Sequence, residues 1–184
     1  MLVISMAFLS NSSISLERLT NATLTNMEVP KAPITIRTKS GQGFELLQIV
    51  DHENGIHHYM FVKRSLGLLW TNYYGGGFGL ELDPDIRLSL RGGMSTFGKH
   101  RHYYYVGQVN DPAISSLRIR WGNGFEQEAV VKDGVYQVVR SVAISEDQAA
   151  EYEAGGEPRL LAYNSKGELL YEHDLDSMQG EIRY

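Results

Sequence analysis

The stretch that decides the fold is FELLQIV at residues 44–50, DHENG at 51–55 and IHHYMFVK at 56–63. Two runs rich in apolar and aromatic residues flank a short polar segment that ends in Asn54-Gly55. Both residues of an Asn-Gly pair tolerate positive φ, so the pair favours a tight turn between antiparallel strands. The sequence therefore predicts a β-hairpin here.

The same alternation of short apolar runs and turn residues continues along most of the chain. The runs recur at spacings of roughly 8–12 residues, which is typical of an antiparallel β-sandwich and not of a parallel sheet. We predict an all-β fold with minor helix, either Ig-like or built from two small packed β units. The predicted strands are 34–38, 44–50, 56–63, 66–72, 86–90, 103–109, 117–121, 125–131, 135–142, 159–163 and 168–172, with turns that include Ser40–Gly43 and Arg91–Gly93.

Helical signals are few. Ser145–Gln148 has the form of a capping box, and Gly155-Gly156 ends the segment that follows it. We predict one short surface helix there. Residues 11–33 are polar, with at most one further short helix over Ser15–Thr20.

The chain divides into a lead-in segment at 1–33, a first β unit at 34–98 and a second β unit at 99–184. The lead-in begins with MLVISMAFLS at 1–10, which is apolar and uncharged. A membrane-spanning helix needs about 20 such residues, and a signal peptide begins with basic residues. Two interpretations stay open: the remainder of a longer signal or anchor, or a short element packed on the core.

Composition excludes several function classes. The formal net charge is -5 and the sequence contains no cysteine. The longest basic run, Lys99–His102, is too short for the basic stripe that nucleic acid binding requires, and composition gives no sign of attraction to anionic lipid. Disulfides, thiolate chemistry and cysteine-based zinc sites are excluded. We predict no cofactor.

Two sets of residues would suit an enzyme. His100 and His102 share one face of a strand, where a carboxylate such as Asp83 or Asp85 could complete a metal site. The basic residues beside the histidines disfavour a cation, so solvated or core-edge histidines are the favoured interpretation.

A carboxylate pair and a glycine run complete the enzyme signals. Glu126 and Glu128 share a strand face, as a glycosidase pair would, but such a pair usually lies on a solvated edge. Gly75–Gly79 lacks the following helix that a phosphate cradle needs, so we interpret it as a flexible loop or bulge. We predict no enzyme activity; the alternative is a metal-dependent hydrolase or a carboxylate glycosidase.

Aromatic residues give the best indication of binding. Trp70, Tyr73, Tyr74 and Phe78 flank the glycine run, and Tyr103–Tyr105 forms a second group. Aromatic side chains beside a loop can stack on sugar rings or anchor a protein partner. The competing interpretation is sheet packing with tyrosine hydroxyls at the rim.

Three segments carry a resemblance to a known group of proteins. Val62–Gly77, Tyr105–Ile114 and Leu161–Tyr171, within residues 56–172, resemble the uncharacterised small extracytoplasmic β-domain proteins of Gram-positive bacteria. The resemblance implies a membrane-associated position at the cell surface, with an N-terminal hydrophobic segment before the domain and no known catalysis. We therefore expect a non-catalytic interaction or sensing domain that binds a protein or cell-wall glycan, with the cytoplasm as the alternative location.

Overall fold

The structure, a computed structural model, describes residues 12–65, 67–73, 76–144, 158–175 and 179–184. Of these, 61% lie in strands and 7% in a helix, so the predicted all-β class with minor helix is confirmed. Within the described residues, no helix is long and apolar enough to cross a membrane. The helix predicted from Ser145 lies outside them. The chain forms two compact units, Met1–Leu82 and Asp83–Tyr184.

The first unit is a single antiparallel sheet with one helix. The strands lie side by side in the order β1-β5-β4-β3-β2, and β6 also pairs with β4. The hairpin predicted around Asn54-Gly55 is confirmed, since Asp51 pairs with Ile56 across it. The elements are β1 (Ser12–Ser13), α1 (Leu16–Asn26), β2 (Ile34–Gly41), β3 (Phe44–Asp51), β4 (Ile56–Ser65), β5 (Leu69–Asn72) and β6 (Gly77–Glu81).

The α1 helix covers one face of this sheet. Its N-cap is Ser15, whose Oγ accepts a hydrogen bond from the Arg18 backbone N–H at 3.3 Å. Leu19 and Leu24 are buried against apolar side chains of β3, β4 and β5. The helix therefore extends beyond the predicted Ser15–Thr20, because packing outweighs the low helix propensity of its threonines and asparagines.

The second unit is a two-layer sandwich. Its sheets have the orders β10-β9-β13-β14 and β11-β12-β8-β7-β15. Their facing sides share one core, in which Trp121, Tyr136 and Leu117 are almost fully buried. The strands are β7 (Ile86–Phe97), β8 (His100–Gln108), β9 (Ser116–Arg120), β10 (Glu126–Glu128), β11 (Val130–Lys132), β12 (Val135–Ala143), β13 (Arg159–Tyr163), β14 (Leu169–Asp174) and β15 (Gln179–Arg183).

At both edges of this sandwich, strands that are consecutive in the chain belong to different sheets. β10 and β11 border different sheets and are separated only by Ala129, whose N–H donates to the Leu117 carbonyl at 2.9 Å. β14 and β15 occupy the opposite edges of the two sheets. Consecutive segments of chain therefore flank the core on both sides of the sandwich.

The units divide between Leu82 and Asp83, earlier than the predicted boundary between 98 and 99. The reason is that β7 continues through the predicted turn at Arg91–Gly93 and pairs with β8 as far as Phe97. A Cβ at Gly93 would lie 2.4 Å from the Tyr104 hydroxyl oxygen. This glycine thus makes room for a neighbouring aromatic ring, and the predicted turn there is wrong.

The second half of the glycine run, from Gly77 to Gly79, lies in the strand β6. The predicted loop is wrong for these residues. The bulge interpretation is confirmed, because the register shifts between the pairs His57–Leu80 and Tyr59–Gly77. Gly79 has a φ of 68°, a left-handed conformation that glycine adopts readily. The described residues from 80 to 144 contain no helix, so the bulge positions backbone groups against β4.

Candidate functional site

The structure places Trp70, the first residue of the predicted aromatic site, inside the first unit. It is only 7% exposed and packs in the core beneath α1. Guanidinium groups cover its ring, with Arg37 at 4.9 Å and Arg64 at 5.6 Å from the ring centroid. The exposure predicted for Trp70 is wrong, because its face of β5 is the one that the helix covers.

The other three predicted aromatic residues have different outcomes. Tyr73 is 38% exposed, and its ring packs edge-on against Phe44 with centroids 4.9 Å apart. Phe78 lies in β6, and its side chain is outside the described part, as is all of Tyr74. Tyr73 is thus the member of the set that the structure places at the surface, and binding by this set stays a prediction.

The predicted histidine and carboxylate groups lie at opposite ends of β8. His102 is fully buried, with its ring centroid 5.3 Å from that of Phe97, and His100 is half-buried. The Asp83 backbone N–H donates to the Gln108 side chain at 2.9 Å, six residues along the strand from His102, or about 20 Å. The described residues contain no group of three or more potential metal ligands.

The carboxylate pair predicted on the strand after Phe125 is found on β10. Glu126 lies between two arginines, 2.9 Å from Arg120 and 3.5 Å from Arg118. Glu128 is exposed. This arrangement fits the solvated-edge interpretation of the pair.

A polar network that sequence reasoning missed joins three distant segments of the second unit. The Tyr171 hydroxyl donates to Asp111 Oδ2 at 2.7 Å and accepts from Arg87 at 3.1 Å. The hydrogen bond from Tyr171 and a second from the Ala113 N–H lower the pKa of Asp111. Asp111 is nearly buried, so the network holds β14 against the loop after β8. Its members are too far apart in sequence to give a local signal.

The first unit buries two adjacent histidines on opposite faces of β4. The Gln48 amide nitrogen lies 3.2 Å from His57 Nδ1, and the Gly79 backbone N–H donates to His58 Nδ1 at 2.9 Å. Burial lowers the pKa of His58, and the charge of Asp51 partly opposes that shift. His58 is therefore a neutral acceptor in the folded chain.

An exposed aromatic side chain of the second unit, Phe125, lies in the turn between β9 and β10. It is 53% exposed. The backbone N–H of Trp121 donates to the Phe125 carbonyl at 2.8 Å, and Gly124 completes the turn with a φ of 78°. The Arg140 guanidinium lies 5.0 Å from the Phe125 ring centroid and 5.5 Å from that of Trp121. Phe125 is thus held at the surface by a cation–π stack on a core residue.

The β11 edge strand follows Phe125 along the same border of the sandwich. Among the described strands it pairs with β12 alone. Val130 and Val131 are 45% and 44% exposed. We call the set of Phe125, Val130, Val131 and Arg140 the hairpin–edge surface. The sequence predicts the strand here, but a strand pattern does not show which edge of a sheet it occupies.

Comparison with protein-family models, with curated proteins and with solved structures finds no match to this chain.

Proposed function

We propose that the chain is a non-catalytic interaction domain and that its second unit binds a protein partner through the hairpin–edge surface. The observation that carries the proposal is Phe125, which is 53% exposed and stacked by Arg140. An apolar ring held in place at the surface loses little conformational entropy on binding, which is what an interface anchor needs.

The β11 strand supports a polypeptide partner. An edge strand presents backbone N–H and C=O groups that an extended segment can pair with, and exposed side chains then give specificity. Val130 and Val131 have no polar group for a sugar hydroxyl. Arg140 adds a cation beside the anchor, which suits a partner carboxylate. Lys132 ends the strand and limits self-association through the same edge.

Peptide selection tests this proposal. A phage-displayed library of random peptides is selected on the immobilised wild-type chain, and the dissociation constants of the selected peptides are measured by calorimetry. Phe125→Ala should weaken them about thirtyfold, the effect of truncating an interface anchor. Val131→Asp should also weaken peptide binding, because it places a charge on the apolar surface of the edge strand β11.

Two control variants locate the effect. Leu169→Ala removes a side chain that is 48% exposed on β14, and Tyr73→Ala removes the exposed member of the sequence-predicted aromatic site. Neither should change the dissociation constants. Equal affinity for the wild type and Phe125→Ala would overturn the proposal, and loss with Tyr73→Ala alone would move the site to the first unit.

Placement outside a bacterial membrane rests on the sequence resemblance and is proposed on that basis only. Fractionation of cells that express the complete gene tests it. Recovery with the cell envelope is expected, and recovery wholly in the cytosol would contradict it.

A further inference from the structure

One end of the sheet in the first unit carries an apolar tip. The register pairs Ser13 with Trp70, so Ile14 emerges at the end of β5 where the β4–β5 turn carries Leu68. Ile14 is 72% exposed and Leu68 is 68% exposed, the highest values for large apolar side chains among the described residues. We call Ile14 and Leu68 the apolar tip.

Three cations lie near the same end of the sheet as this tip, on both faces of the sheet. Lys63 lies over the Phe44 ring at 4.5 Å on one face, and Arg64 lies over Trp70 at 5.6 Å on the other. Lys39 is exposed at the end of β2 and stands opposite Glu45 in the register. Lys39, Lys63 and Arg64, the cationic ring, form no ion pair with a described residue.

The acid opposite Lys39 in the sheet register is already paired with another cation. Glu45 is nearly buried and forms a two-point ion pair with Arg37, whose second nitrogen lies 2.9 Å from Glu45 Oε1. The ring therefore retains its positive charge in a chain whose formal net charge is -5. Its members come from β2 and β4, so they form no basic run in the sequence.

We propose that this end of the first unit docks on an anionic lipid bilayer, an interaction beyond the proposed binding of a protein partner. An apolar tip can enter the interface between headgroups and acyl chains, while lysine and arginine reach lipid phosphates around it. An extended acidic peptide would contact one face of the sheet, whereas the cations lie on both. Each cation near an anionic surface strengthens binding about fivefold.

Vesicle co-sedimentation of the full chain tests the proposal. The probes are vesicles of phosphatidylcholine alone and of phosphatidylcholine mixed with phosphatidylserine. The wild type should bind the mixed vesicles in preference, with affinity that falls as salt rises. The variant K39Q/K63Q/R64Q should bind about a hundredfold more weakly, and Leu68→Ser about tenfold more weakly.

A matched charge control separates a defined site from general attraction. K99Q/K132Q/K166Q removes three cations that are exposed in the second unit, with the same change in net charge. It should retain most of the binding. Equal loss in both triple variants would overturn the proposal, as would equal binding to both kinds of vesicle.

Two further measurements keep the test decisive. In the variant Trp121→Phe, Trp70 is the remaining tryptophan, and vesicles of brominated phosphatidylcholine and phosphatidylserine should quench it because it lies beside the tip. Absence of quenching would overturn docking by this end. Polyglutamate that binds with the same dependence on the cationic ring, while vesicles do not bind, would assign the surface to an acidic polypeptide instead.

Discussion

The two units of the chain bury a β-sheet in different ways. In the first, α1 covers one face of the sheet, and every residue of β3 is buried. In the second unit, two sheets pack face to face, and their shared core contains side chains from both sheets. Period-two alternation of apolar residues suits either arrangement, because a strand pattern does not specify what covers its apolar face. The polar lead-in segment decides the difference, since it supplies the helix.

The two tryptophans mark this contrast. Trp121 is 1% exposed in the centre of the sandwich, with its ring 5.7 Å from that of Tyr105. Trp70 lies at the rim of the first unit's core, where it is 7% exposed and two arginines lie over its ring, whereas Arg140 alone lies over the ring of Trp121. Each unit therefore contains one tryptophan, which provides a fluorescence probe for its own core.

The largest effect is expected from Trp121→Ala. Removing a large ring from a closed core should lower the free energy of unfolding by about 3–5 kcal/mol. Trp70→Ala should cost about 2 kcal/mol, because the long arginine side chains at the rim can move into part of the space. Urea unfolding followed by circular dichroism measures both. An equal or larger cost at Trp70 would contradict the contrast between a closed and a rim position.

A pair of glycine substitutions should have the next largest effect. A Cβ at Gly107 in β8 would lie 2.0 Å from the Ser89 carbonyl oxygen, a backbone atom. A Cβ at Gly77 in β6 would lie 2.7 Å from the Tyr59 ring, which can rotate aside. We expect Gly107→Ala to cost about 3 kcal/mol and Gly77→Ala about 1 kcal/mol. Thermal unfolding of both variants checks the order, and the reverse order would show that β6 is the more rigid strand.

The smallest effect is a pH dependence of the first unit. Because burial lowers the pKa of His58, the unfolded chain takes up a proton more readily than the folded chain. The resulting stability is complete above the unfolded pKa of about 6.5 and is lost as the pH falls below it. Protonation at Nδ1 would also remove the acceptor of the Gly79 N–H.

The variant His58→Gln should flatten this dependence below about pH 6.5, as measured by the urea midpoint at each pH. His52→Gln is the matched control, because His52 is exposed in the turn of the same hairpin. An unchanged slope in His58→Gln would show that another group carries the pH dependence.

Some of the candidate surface was within reach of sequence reasoning and some was not. The turn around Gly124 and the strand after it follow from local residue preferences. The exposure of Phe125 does not, because it depends on Arg140, which approaches from β12. The predicted exposure of Trp70 was wrong because it also depends on a distant segment. Side-chain alternation identifies the two faces of a strand but not the face that a helix covers.

The sequence by itself determined the all-β class and the β3–β4 hairpin. Both follow from contacts between residues close along the chain, where turn residues and side-chain alternation act directly. Only the tertiary structure decided that β7 belongs to the second unit, that Gly93 accommodates Tyr104, and that the cationic ring and the apolar tip lie at the same end of a sheet. These features depend on pairing between distant strands, and sheet register brings together residues whose separation in sequence carries no signal of their contact.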